Sequence, residues 1–145
     1  LKSVDDFFTV WGAVAPLIIE LAHERATPEQ TASLDAIHRE HSSAIKKAKL
    51  DPEQWIRVSR QRFDLLVEAT RNPQLEAIYR KLSAEMDRIF YSISHHREDI
   101  RAIFELATRF DTAIPSVDDA REFIKISHER IAEVIIEKGF DYPQG

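Results

Sequence analysis

The sequence predicts an all-α fold, an antiparallel helical bundle. Three observations predict it. First, three helix starts are written out: Thr27-Pro28-Glu29-Gln30, Asp51-Pro52-Glu53-Gln54 and Asn72-Pro73-Gln74. In each, a side-chain oxygen can accept a bond from a first-turn N–H. The proline then sits at the first helical position, where its missing N–H costs nothing. Second, apolar residues recur at three-and-four spacing, with no alternating strand pattern. Third, only three glycines occur and the loops are short, which makes successive helices antiparallel neighbours.

Six helices follow in order. The first spans about Val4 to Arg25, and its apolar residues Phe7, Phe8, Val10, Trp11, Val14, Leu17, Ile18, Ile19 and Leu21 cover most of its circumference. Such a helix is buried on both sides, within a bundle or across a subunit contact. Pro16 removes one backbone bond and predicts a kink. The second starts at Pro28 and repeats Leu34, Ile37, His41, Ala44/Ile45 and Ala48. The third starts at Pro52, with Ile56, Ser59, Phe63, Leu66/Val67 and Thr70 on one face. The fourth starts at Pro73 and carries Leu75, Ile78/Tyr79, Leu82, Met86, Ile89/Phe90 and Ile93. Gln30 and Gln54 stand where they can close capping boxes. The fifth spans about Arg97 to Ile114 and is stopped by Pro115. Ser116 caps the sixth, with Asp119 in the capping-box position, and Gly139 ends it. Residues 1–139 are expected to form one domain, and residues 140–145 a loosely held tail.

Composition narrows the function. A chain of 145 residues buries about 68–70% of its unfolded surface as one domain. The absence of cysteine excludes a disulfide framework and a thiolate zinc site. A net charge of -5, with only Lys46, Lys47 and Lys49 clustered, gives no basic stripe for gripping phosphates. The longest apolar run, Val10 to Ile19, is too short to span a bilayer, and no targeting pattern is present. No partner membrane is expected, and the expected location is cytoplasmic. The chain begins with Leu1 rather than Met and is expected to be part of something longer.

Chemistry-bearing residues are few. His128 lies on the stripe Ile124-His128-Ile131-Ile135 next to Ser127, either as a core histidine or as a ligand contact. Ser59 is a polar residue on a core face, so burial demands a partner. That partner is either the carbonyl of Trp55 or a bound ligand. Asp35-x-x-His38 and Glu20-x-x-His23 echo the Glu-x-x-His of di-iron bundles, but only His41 falls on its helix's apolar face. His95 and His96 would point about 100° apart on a helix and could not face one site together; they are expected near a helix break, half exposed. Arg57, Arg60 and Arg62 flank the core stripe of the third helix, and one of them can snorkel inward to a carboxylate. No nucleophile with a base, no Gly-rich phosphate loop and no core acid pair is present, so an enzyme is not expected.

Three segments carry a family resemblance. FTVWGAVAPLIIELAHERATPEQTASL (8–34) resembles the opening of the ligand-sensing C-terminal domain, the FCD type, of FadR-branch GntR-family transcription regulators. DPEQWIRVSRQRFDLLVEATRNPQLEAIYRKL (51–82) is similar to the family's acidic start, Asp-x-x-x-His helix and Asn-Pro turn. TAIPSVDDAREFIKISHERI (112–131) is similar to its closing helix with a late histidine. The resemblance implies six to seven helices enclosing a ligand cavity. Many members hold a metal there with one Asp and three His. Those positions fall on Ser59, Phe63, Ala107 and His128, while the first helix's Arg and Glu fall on Trp11 and Ala15. Only His128 is a ligand, and one imidazole cannot hold a divalent ion against water. The chain thus resembles the metal-free, acyl-responsive members.

The expected function is the effector-binding and dimerisation domain of a bacterial regulator whose winged-helix DNA-binding domain precedes Leu1. It would bind a small carboxylate or acyl effector, without metal or cofactor, at Trp11, Ser59, Phe63, Ala107 and His128. Contact with DNA would go only through the upstream domain. A homodimer is expected from the first helix, with Phe7, Phe8 and Trp11 near its start. The rival expectations are a metal-binding bundle or enzyme using Glu20, His38 and His41, and a protein-interaction bundle without ligand.

Overall fold

The computed structural model describes residues 2–46, 51–107 and 112–138, with the side chains of Ile45 and Ala107 outside that description. Six helices appear: α1 (Lys2–Arg25), α2 (Pro28–Lys46), α3 (Pro52–Thr70), α4 (Pro73–Ser92), α5 (Arg97–Ala107) and α6 (Val117–Lys138). The described residues contain no strand.

The written starts work as caps. Thr27 and Gln30 form a reciprocal box: the Gln30 N–H donates to Thr27 Oγ1 at 3.2 Å, and the Thr27 N–H donates to Gln30 Oε1 at 3.0 Å. Asp51 Oδ1 accepts from the Glu53 N–H at 3.1 Å, and Asn72 Oδ1 from the Leu75 N–H at 3.1 Å. Ser116 Oγ accepts from the Asp119 N–H at 3.1 Å. Each bond satisfies a donor that the first turn leaves orphaned. Arg71 closes α3 in the left-handed region, at φ 48°, its N–H donating to the Glu68 carbonyl. That turn leads directly into the Asn72 cap of α4.

Helix α3 is the hub, packing against α1, α2, α4 and α5, while α1 also packs against α6 and α4. Side-chain bridges give the directions. His128 of α6 meets Asp5 near the start of α1, and His23 near the end of α1 meets the Pro115 carbonyl just before α6. The two helices are therefore antiparallel. Arg60 donates to Asp64 at 3.1 Å, Tyr79 Oη at 3.0 Å and Asp87 at 2.8 Å, and the Tyr79 hydroxyl donates to Asp64 at 2.8 Å. This network ties α3 antiparallel to α4. Asp99 of α5 accepts from Arg130 and Lys138 of α6. Trp11 against Phe63, and Arg25 against the Thr70 carbonyl, show α1 and α3 running the same way. An up-and-down bundle has this alternation.

Two local expectations change. Helix five does not reach Ile114: residues 112–114 form a bend. Pro115 disfavours a helical Ile114, and the Thr112 hydroxyl donates to the Ile114 carbonyl instead. His95 and His96 do fall at the break between α4 and α5, where their rings pack at 3.8 Å. The second change concerns α1, whose Phe7, Phe8 and Trp11 are buried within this chain and leave no wet aromatic patch. Helix α1 runs through Pro16, which is itself buried. Gly139, the tail 140–145 and the helix-five positions 108–111 lie outside the described residues.

Candidate functional site

Among the described residues, the inward faces of the bundle border two apolar cavities that share four walls. The first is about 50 Å³ and is lined by Ile19, His41, Ser59, Arg62, Phe63, Leu66, Pro115, Ala120, Phe123 and Ile124. It has room for roughly three to five waters. The second, about 30 Å³, is lined by Phe8, Trp11, Ser59, Phe63, Met86, Phe90, Phe104, Phe123, Ile124 and Ser127. Ser59 and Phe63 of α3, with Phe123 and Ile124 of α6, border both. Two three-and-four faces produce this seam: Ser59 and Phe63 are four apart, while Phe123, Ile124 and Ser127 complete one stripe of α6.

The sequence-derived positions divide. Trp11, Ser59 and Phe63 come together around the second cavity, with the Trp11 and Phe63 rings 5.1 Å apart. His128 stands at the α1–α6 joint. Its Nε2 is 2.8 Å from Asp5 Oδ1, its ring stacks on Phe8 at 4.6 Å, and its side chain is 34% exposed. The preceding residue, Ser127, is the α6 polar group that lines a cavity. Ala107 is the last residue of α5, and its side chain lies outside the described residues.

Two further polar groups meet in the first cavity. His41 is buried and edges onto Phe104 at 5.9 Å. Burial, then the neighbouring Arg62 and His38 charges, push its pKa down to about 4, so it is neutral at pH 7. Arg62 is buried as well. It donates through Nη2 to the carbonyls of Thr112 at 3.2 Å and Ala113 at 3.1 Å, which anchors the bend before α6. Burial alone lowers its pKa to about 10, so it remains charged. Three buried atoms that line the cavity pair lack a hydrogen-bond partner: Arg62 Nε, His41 Nε2 and Ser127 Oγ. The sequence showed Arg62 beside the core stripe and His41 on an apolar face; the fold brings them to one site.

Glu20 is exposed while His38 and His41 are buried. Among the described residues, no three His, Cys, Asp or Glu side chains are grouped to hold a metal, so Glu20, His38 and His41 do not converge. No helix among the described residues is long and apolar enough to cross a membrane.

Paired apolar cavities with a few buried polar groups have the make-up of a small-molecule site. The chain matches the FCD domain over residues 6–114 and belongs to that family, the C-terminal effector-binding domains of GntR-family regulators. FCD domains are parts of transcription regulators rather than enzymes. The matched segment ends before α6, so Phe123, Ile124, Ser127 and His128 lie beyond it. No curated protein and no solved structure matches the chain.

Proposed function

We propose that this chain is the effector-binding and dimerisation domain of a FadR-branch regulator, preceded by a winged-helix DNA-binding domain. Its effector is a small organic acid or acyl-type molecule, held in the bundle without a metal. The observation that carries this reading is the cavity pair bordered by Ser59 and Phe63, at family ligand-site positions. Apolar walls contribute about 25 cal/mol per Å² of ligand surface removed from water. The metal-free reading is supported by chemistry: Ser59 and Phe63 replace a carboxylate and an imidazole, and His128 is already paired with Asp5. Ligand binding would shift the population between two dimer arrangements and so the spacing of the DNA-binding heads.

The homodimer rests on a stripe of α1 different from its buried aromatics. Val10 is 47% exposed and Leu17 44% exposed, with Val14 and Leu21 partly buried between and beyond them. Their four-three-four spacing places them within about 60° on one face of the helix.

The test is thermal unfolding of EDTA-treated protein with a panel of short and medium-chain acids, their esters and acyl-CoA thioesters. At least one compound raises Tm in a saturable way. A panel that shifts nothing, or shifts Tm only when a divalent ion is restored, rejects the reading.

A further inference from the structure

Among the described residues, the cavity pair holds a cation with no anion beside it. Arg62 is 7% exposed, and its Nη2 reaches only the backbone carbonyls of Thr112 and Ala113. Its Nε has no partner. Burial is what lowers its pKa. Leaving an ion buried in this state costs several kcal/mol even after relaxation, and two neutral acceptors offset that only in part. The other arginine of this helix that turns inward, Arg60, is by contrast neutralised by Asp64 and Asp87. Beside Arg62, neutral His41 presents an unpartnered Nε2, and both residues line the same cavity.

We propose that Arg62 and His41 form the anion anchor of this cavity, and that the ligand is a monocarboxylate whose acid group replaces the missing counter-ion. The inference rests on the effector-domain reading above and narrows its ligand. Nε of Arg62 donates to one carboxylate oxygen. Nε2 of His41, protonated in the neutral ring, donates to the carboxylate as well. The apolar body then lies along Ser59, Phe63, Phe123 and Ile124, where the second cavity continues among aromatic rings. No cation is among the described residues that line the second cavity, which assigns the ligand one acid end rather than two. The charge that a metal supplies in many family members comes here from a side chain one residue before Phe63.

The experiment titrates EDTA-treated protein with butanoate, hexanoate, octanoate and phenylacetate, and with the primary amide of each, following Trp fluorescence and Tm. The acids bind at least about tenfold more tightly than their amides, the difference a charge-assisted bond contributes. Arg62→Met removes that preference and Arg62→Lys restores part of it. Because the acid-to-amide ratio of the wild type needs no variant, a poorly folded Arg62→Met leaves the test intact. Amides that bind as tightly as the acids overturn the anion anchor while leaving the effector-domain reading standing. Absence of saturable binding by every compound up to about 10 mM also overturns the anion anchor, while the effector-domain reading then falls only if the esters and acyl-CoA thioesters above fail as well.

Discussion

At the scale of single residues, two buried groups decide the chemistry. His41 has a folded-state pKa of about 4 against an ordinary value of 6.5, so the unfolded chain takes up a proton first as pH falls. Stability is therefore fully present above about pH 6.5 and declines between there and pH 4, by about 3 kcal/mol for a shift of this size. His41→Phe is expected to flatten this part of the acid limb. Urea midpoints at pH 7 and about pH 4.5 measure it. A variant that loses as much stability as wild type over that interval would assign the acid limb to other groups. The sequence exposed this histidine as a lone polar residue on an apolar stripe. It did not show that Arg62 of the next helix shares its cavity, because that depends on how α2 and α3 are rotated against each other. His128 illustrates the same limit on α6. Adjacent residues diverge by about 100°, and the stripe through Ile124 and Ile131 is wide enough to admit either Ser127 or His128 to the cavity. The packing of α1, through Phe8 and Asp5, takes His128 to the joint and leaves Ser127 inside.

At the scale of helices, local chemistry was legible wherever a side chain bonds its own backbone. The starts at Thr27, Asp51, Asn72 and Ser116 are local facts, and all four caps form. Asn72→Ala is expected to cost about 1 kcal/mol, since the Leu75 N–H loses its acceptor. A loss well under that, read from chemical denaturation, would mean the cap contributes little once Pro73 fixes the first turn. The end of α5 was less legible. Nothing in the apolar spacing marks the bend at 112–114, which is held by Arg62 from a helix about fifty residues earlier. Long-range acceptors of this kind leave no trace in a local pattern.

At the scale of the whole molecule, the fold class followed from periodicity and the family from three segments in register. The proposed dimer depends on which apolar residues the chain covers by itself. Phe7, Phe8 and Trp11 are covered, while Val10 and Leu17 are not. The double variant Val10→Glu/Leu17→Glu is expected to be monomeric by light scattering at micromolar concentration while keeping its helical content. A variant that stays dimeric would move the interface off this stripe. The central claim is that the seam between the two cavities receives an effector without a metal. Ser59 borders both cavities, so Ser59→Phe fills the seam, at a cost of about 1–3 kcal/mol if the neighbours must shift. The direct measurement is calorimetric titration of metal-stripped wild type and of Ser59→Phe with the tightest-binding acid. The account predicts one site per chain in wild type, unchanged by adding zinc or manganese, and no measurable binding to a folded Ser59→Phe. Undiminished binding by that variant, or binding that requires the added ion, would contradict it.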